Sequence, residues 1–249
     1  MFLFSKRSAK PDALSSVLSF MHTDIHSHLL PAVDDGVQDV ETSIRFIERL
    51  QEMGIRNVIT TPHAMMDRYP NSRDTLAGPY AAVVQALREK KNSIPVQFAA
   101  EYYLDEQFVP LLQAPLLTIA GNKVLVEISF ISAPPQLHQW LFDIQAAGYQ
   151  PVLAHPERYR YYHENTRQYY QLKELGCLLQ VNLLSLTGYY GRSIEKTAHL
   201  LLEEQLADLV GTDLHHEKHM QAIEAIAQNK RLRKILDSYP FQNAGLLDQ

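Results

Sequence analysis

The sequence predicts an α/β fold: a parallel sheet closed, or nearly closed, into a barrel within one domain. Three observations carry this expectation. Short β-type apolar runs alternate with helical patterns along almost the whole chain. Glycines close several of the helical patterns, at Gly54, Gly148 and Gly176, which keeps the connections short. The chain of 249 residues has no low-complexity stretch or internal repeat that would divide it.

The elements follow in order. Phe20–Ile25 reads as a strand running into His26-Ser27-His28. Asp39–Met53 places Val40, Ile44, Ile47 and Leu50 at helical spacing. Arg56–Thr60 is a strand ending at Pro62-His63, Asp74–Lys91 a helix, and Pro95–Ala100 a strand ending at Glu101. Lys123–Ile128 is a strand that carries Glu127, Pro135–Ala147 a helix, and Gln150–Ala154 a strand ending at His155. Asn165–Leu175 is a helix, Cys177–Val181 a strand, Arg192–Gln205 a helix, and Asp208–Gly211 a strand ending at Thr212-Asp213. His216–Gln228 and Arg231–Asp237 are helices. About seven strand–helix units suit a barrel better than an open sheet. An open doubly wound sheet has the same periodicity and stays as the alternative.

Composition narrows the function classes. Hydrophobic residues at 46% and charged residues at 20% are ordinary for a globular protein. A net charge of -5 argues against a nucleic-acid partner, which favours a basic face. The single cysteine, Cys177, allows no disulfide within the chain and fits a reducing cytoplasm. No segment approaches the roughly 18 apolar residues of a membrane helix, so direct membrane insertion is not expected. Residues 1–19 lack the continuous apolar core of a signal peptide and read as an exposed tail or docking arm, leaving 20–249 as the domain.

The chemistry lies in the placement of a few residue types. His26, His28, His63, Glu101, Glu127, His155, Asp213 and His215 all fall at or just past a predicted strand end. In a parallel barrel those ends share one face, where active sites are built. All eight are imidazoles or carboxylates, a mixture that suits Mn²⁺, Zn²⁺ or Fe and differs from a structural thiolate site. His26 and His28 are two apart on a strand, so their side chains point the same way. Asp24 shares that side and is placed to orient a ligand from behind. Asp34-Asp35-Gly36 supplies a further carboxylate, with Gly36 allowing an unusual backbone angle.

Each piece also has an ordinary reading. Chance H-x-H pairs are common, Asp-Asp-Gly is usually a turn, and Thr212 or Asp213 suits a helix cap. Five strand ends in one chain would each need a separate excuse, and the set outweighs the pieces. His22, His138, His163, His199 and His219 lack the placement and read as structural; His216 adjoins a candidate ligand and stays ambiguous. Cys177 is not followed by a phosphate loop closing on arginine, so a cysteine phosphatase mechanism is disfavoured.

Asp24-Ile25-His26-Ser27-His28, Val33-Asp34-Asp35-Gly36, Thr61-Pro62-His63, Ala100-Glu101-Tyr102-Tyr103, Val126-Glu127-Ile128-Ser129, Leu153-Ala154-His155-Pro156-Glu157-Arg158-Tyr159 and Thr212-Asp213-Leu214-His215 form an ordered set. Over about residues 21 to 240 the chain resembles the PHP (polymerase and histidinol phosphatase) superfamily. Within it, the chain is most similar to the bacterial metal-dependent protein-tyrosine phosphatases found with capsule and exopolysaccharide synthesis. The resemblance implies a distorted seven-stranded barrel and three divalent ions, usually manganese, with iron or zinc as alternatives. It assigns His26, His28, Glu101 and Asp213 to a first ion. Glu101, Glu127 and His155 fall to a second, with Glu101 bridging. Asp35, His63 and His215 fall to a third, which chooses Asp35 over Asp34.

The resemblance also promotes Arg158, which on sequence alone is a surface arginine, to a phosphate contact. A planar guanidinium binds phosphate oxygens in bidentate fashion. Arg158, Asp213 and His215 are then the expected catalytic residues. Loop tyrosines Tyr102, Tyr103, Tyr159, Tyr161, Tyr162, Tyr189 and Tyr190 are candidates to stack on a phosphotyrosine ring, with Tyr103 and Tyr159 foremost. The implied partner is a phosphotyrosine protein, the tail of a membrane-associated tyrosine kinase. A small phosphoester such as histidinol phosphate, or a non-catalytic metal-binding scaffold, are the alternatives. The helix after Asp39 lacks the clear E-S-R-E stretch through which some relatives form rings, so a homo-oligomer stays open.

Overall fold

Short strands with buried, β-branched interiors alternate with amphipathic helices, and the chain has no choice but to stack the helices on a parallel sheet. The structure, a computed structural model, describes residues 16–247. Its elements are β1 (Thr23–Asp24), α1 (Val40–Glu52), β2 (Asn57–Thr60), β3 (His63–Ala64), α2 (Arg73–Glu89), β4 (Val96–Phe98), β5 (Glu101–Tyr103), β6 (Lys123–Glu127), α3 (Leu137–Ala146), β7 (Gln150–Ala154), α4 (Arg167–Glu174), β8 (Leu178–Asn182), α5 (Arg192–Glu203), β9 (Leu209–Gly211), α6 (Glu217–Ala225) and α7 (Lys230–Ser238). Helix α1 shows the local logic. Asp39 accepts from the Thr42 backbone N–H at its start, Ile44, Phe46, Ile47 and Leu50 are buried on one stripe, and Gly54 leaves the helix with φ +105.

All strand pairs are parallel. One sheet runs β1-β2-β4 and the other β3-β5-β6-β7-β8-β9. A parallel bridge between Ser27 and Leu214, with Asp213 N–H donating to the His26 carbonyl, joins the chain beyond β1 to the chain beyond β9. Strand order therefore follows chain order without the reversal that defines a doubly wound sheet, which removes that alternative. The expected strands Arg56–Thr60 and Pro95–Ala100 form as β2 and the shorter β4, and each is followed by a second short strand, β3 and β5, that was not expected. Pro62 has no N–H to give and separates β2 from β3; Ala99-Ala100 separates β4 from β5.

Most of the apolar interior lies between sheets and helices. A smaller inner cluster gathers Ile25, Ile59, Ala99, Leu125, Val152 and Leu209 from successive strands. Of the expected tail, residues 1–15 lie outside the described residues. Val17 and Leu18 are buried, and Leu18 N–H donates to the Met53 carbonyl, so the folded unit begins ahead of residue 20.

Candidate metal centre

Because the strands are parallel, their C-terminal ends deliver side chains to one place. His26 and His28 follow β1, Glu127 ends β6, His155 follows β7, and Asp213 and His215 follow β9. His63 and Glu101 instead open β3 and β5, where they are direct register partners. His155 and Asp213 hold left-handed backbone, at φ 35 and φ 51, a conformation costing roughly 1–3 kcal/mol for a non-glycine residue.

His26 Nε2, His28 Nε2, Glu101 Oε2 and Asp213 Oδ1 converge at 3.1–3.5 Å from one another across their measured pairs. Ligands about 2.1 Å from one ion stand roughly 3.0–3.4 Å apart, depending on coordination geometry. His63 Nδ1 lies 3.0 Å from Glu127 Oε1 and 3.2 Å from Glu101 Oε2. Asp35 Oδ1 lies 3.5 Å from His63 Nε2 and 3.6 Å from His215 Nε2. His155 Nε2 faces Glu101 Oε1 at 3.1 Å. Glu101 Oε2, His63 Nδ1 and His155 Nδ1 are buried without a hydrogen-bond partner. Converging lone pairs and unpartnered buried acceptors are what a bound cation satisfies, so this donor set fits divalent ions.

All nine expected ligands thus meet. Their grouping differs from the implied one: His28 also joins Asp35, His63 and His215, and His26 and His28 group with Asp213 apart from Glu101. Glu127 groups with His63 and Glu101, whereas His155 groups with His26 and Glu101. The two aspartates of the loop separate cleanly. Asp34 is buried and accepts from His28 Nδ1 at 2.7 Å, while Asp35 stands open beside His63 and His215. Gly36 adopts no positive φ; its requirement is space, since a Cβ there would lie 2.3 Å from the His28 carbonyl oxygen.

The residues behind the ligands were partly invisible in the sequence. His26 Nδ1 donates to Gln180 Oε1 at 2.7 Å, which turns Nε2 toward the cluster. Asp24, expected in that role, instead accepts from the Thr212 hydroxyl at 2.6 Å and ties β1 to the end of β9. Asn182 Nδ2 donates to Asp213 Oδ2 at 2.7 Å. Gln180 and Asn182 sit in an otherwise apolar strand, and a buried amide pair there was the one available signal. The cap of α6 is His216, not Thr212 or Asp213.

Electrostatics follow from this crowding. Burial pushes Glu101 up, but His26 and His63 outweigh it and hold the carboxylate well below its usual range. Burial raises and His26 and His215 lower Asp213, which also ends far below. Burial lowers His26, yet Glu101 and Asp213 lift it to about 9. Burial, and then the neighbouring His28, bring His215 down to about 4.

The cluster floors a cleft of about 300 Å³ whose walls include Phe130, Arg158, Tyr190 and His219. Arg158 donates to Asp213 Oδ2 at 2.8 Å. Its guanidinium lies 4.9 Å from the Phe130 ring centre and 4.5 Å from that of Tyr190. Tyr190 is therefore at the mouth as expected of the loop tyrosines. Tyr159 is not: it is fully buried, its hydroxyl accepts from the Ile128 N–H, and it packs beneath His155. Tyr103 pairs in register with Glu127 and is not among the cleft residues. Phe130 was not anticipated, and its place three residues past Glu127 was its only clue; His219, read as structural, also lines the cleft.

Residues 22–243 match the family described as capsular polysaccharide synthesis, CpsB/CapC. The tyrosine-protein phosphatase YwqE of Bacillus subtilis is 35% identical over 199 residues, covering 78% of each chain. The tyrosine-protein phosphatase CpsB of Streptococcus pneumoniae is 28% identical over 200 residues, covering 78% of this chain and 82% of that one. A crystal structure described among those of YwqE and CpsB, metal-dependent tyrosine phosphatases, matches with a TM-score of 0.79 at 29% identity over 91% of this chain and 94% of that one. A lactonase from Listeria monocytogenes, with a TM-score of 0.53 at 13% identity, shares the fold alone. With its converging ligands, its arginine in the cleft and a family match over nearly its whole length, the chain belongs to the CpsB/CapC family.

Proposed function

We propose that this protein hydrolyses phosphotyrosine in proteins, using divalent ions held by the His/Asp/Glu cluster. The observation that carries the reading is a cation, Arg158, fixed between two aromatic rings at the rim of that cluster. Family membership and the phosphatase names of its relatives support it.

Three ions are proposed, held by His26, His28, Glu101 and Asp213, by Glu101 with Glu127 and His155, and by Asp35, His63 and His215. Manganese is the proposed metal. When bound, such ions supply Lewis acidity toward phosphoryl oxygens and a more acidic water. The chain's own residues do the rest. Arg158 donates to equatorial phosphoryl oxygens as charge builds there. Asp213 holds one edge of that guanidinium, and Asn182 holds Asp213. Phe130 and Tyr190 limit the arginine's rotation and present ring surface to an aryl group. His215, whose Nδ1 donates to the Asp213 carbonyl, keeps its other nitrogen toward Asp35. A tyrosine leaving group ionises near a pKa of about 10 and needs less protonation than an alkoxide.

The proposed substrate is the tyrosine-rich tail of a membrane-associated kinase governing capsule or exopolysaccharide synthesis, reached from the cytoplasm. The same reading counts β2/β3 and β4/β5 as single bent strands, which makes a seven-stranded barrel closed through Ser27 and Leu214. The test is phosphate release from a phosphotyrosyl peptide, with chelator and with Mn²⁺, Zn²⁺ or Mg²⁺ added back. Chelator-sensitive release restored by Mn²⁺ is expected. Metal-loaded protein that ignores the peptide but hydrolyses histidinol phosphate would transfer the site to a small-molecule role.

A further inference from the structure

We infer that Phe130 is the specificity-determining residue of the cleft, selecting aryl over alkyl phosphoesters by packing on the ring of the leaving group. This selection rests on the phosphotyrosine reading of the site and names the side chain that enforces it. Phe130 lies on the loop that leaves β6, three residues past Glu127, and lines the cleft. It is 45% exposed. A single exposed apolar residue ordinarily means nothing. Phe130 differs because the loop that displays it is tied down on both sides.

Ile128 N–H donates to the Tyr159 hydroxyl at 3.1 Å, and the Tyr161 hydroxyl donates to the Ser129 carbonyl at 2.6 Å. Ile131 N–H donates to Ser129 Oγ at 3.1 Å. The Phe130 ring packs on Tyr159 at 5.4 Å and lies 23° from parallel to the His155 ring at 5.5 Å. Tyr159 and Tyr161 belong to the segment that carries Arg158, so Phe130 and Arg158 are held in fixed relation. A ring anchored this way and still wet is preorganised: it has little rotamer freedom left to lose when a ligand covers it.

Its position suits the leaving group. The ring centre is 4.9 Å from the guanidinium that would hold the phosphoryl oxygens. The ring of an aryl ester begins one ester oxygen from phosphorus, within reach of the roughly 4.5–7 Å separation at which aromatic rings pair. A seryl or threonyl phosphate places a saturated carbon and then peptide backbone there, which covers little of Phe130. Histidinol phosphate carries its ring farther out, behind a saturated chain. Tyr190, across the arginine, is half-buried, stands edge-on to Tyr189, and accepts from Asn182 at 3.5 Å. It is committed chiefly to supporting Arg158, which leaves Phe130 to discriminate.

The test compares benzylphosphonate with ethylphosphonate as inhibitors of the manganese-loaded full chain acting on a phosphotyrosyl peptide. Neither is hydrolysed, so leaving-group reactivity does not enter. Wild-type protein should prefer benzylphosphonate. Phe130→Ala should reduce that preference about tenfold, the worth of one ring pair with its burial, and should raise KM for the peptide more than it lowers kcat. Phe130→Trp should keep the preference. Tyr190→Leu should weaken both phosphonates together, with their ratio nearly unchanged. Manganese content and thermal melting show that each variant is folded and loaded. Equal weakening of both phosphonates in Phe130→Ala would reduce Phe130 to a brace for Arg158 and overturn the assignment. A preference lost in Tyr190→Leu but kept in Phe130→Ala, or wild-type protein that hydrolyses the peptide yet binds the two phosphonates equally, would do the same. Metal-loaded protein that binds neither phosphonate and releases no phosphate from the peptide would instead sink the phosphotyrosine reading, and the role of Phe130 with it.

Discussion

Arg158 concentrates the chemistry proposed for this site, because a charged fork clamped between Phe130 and Tyr190 has few places to go. Arg158→Ala should lower kcat on a phosphotyrosyl peptide by about 10²–10³, the usual loss for one preorganised donor, while bound manganese measured by mass spectrometry stays constant. Arg158→Lys should recover little, since an ammonium cannot make the bidentate contact. Wild-type turnover in either variant removes Arg158 from the mechanism. Cys177 makes the opposite case. It is buried in an apolar layer, and burial pushes its thiol up to about 12, so iodoacetamide should not modify the native protein or reduce its activity at neutral pH. That nine His, Asp and Glu side chains would cluster was legible in the sequence, because metals accept few residue types and parallel strands deliver them to one end. Gln180 and Asn182 were not, because an amide's partner lies across the sheet and leaves no local pattern. Tyr159 misled for a related reason: a loop aromatic reads alike whether it lines a mouth or supports the histidine beneath it.

Secondary elements were far more legible than the pairing that resumes beyond two of them. Helices at 40–52 and 192–203 and strands at 150–154 and 123–127 follow from spacing and glycine stops. What was not foreseen is that pairing resumes beyond Pro62 and beyond Ala99-Ala100, in short strands that open with His63 and Glu101. A proline removes a ladder bond in any strand, but whether the chain then resumes pairing depends on neighbours far away in sequence. The loop after β1 gives the sharpest element-level prediction. Glycine at 36 serves close approach, with a Cβ placed 2.3 Å from the His28 carbonyl and 2.5 Å from its Cβ. Gly36→Ala must therefore push Asp34 and Asp35 away from His28 and His63. The expected result is at least tenfold weaker manganese binding in a fold whose circular dichroism is unchanged, with Asp35 displaced from its ligand position. Unaltered metal affinity in that variant would mean the loop yields without moving its carboxylates.

For the molecule as a whole, the site is a set of buried charges that the fold must balance with or without a cation. In chelated protein that balance falls on the histidines. Burial disfavours charged His26, but Glu101 and Asp213 raise it to about 9, and His28 is likewise raised, by Asp34 and the same two carboxylates. A folded value above the unfolded one, near 6.5, means that protonated His26 stabilises the fold fully below about pH 6.5. That contribution is lost as pH climbs through about 9. His215 and Asp24 do not disturb this window, since they are placed at about 4 and about 6. Metal needs the imidazoles unprotonated, so loading releases protons and removes the dependence. The expected outcome is a Tm for chelated protein that falls between pH 6.5 and 9, against a nearly flat Tm for manganese-loaded protein. Manganese affinity should strengthen with pH over the same interval, and the gap in Tm between loaded and chelated samples should widen with it. Differential scanning calorimetry across that range decides the matter. A chelated Tm that rises toward pH 9 would show that the buried carboxylates are not neutralised by His26 and His28, and that another counter-charge holds this end of the fold together.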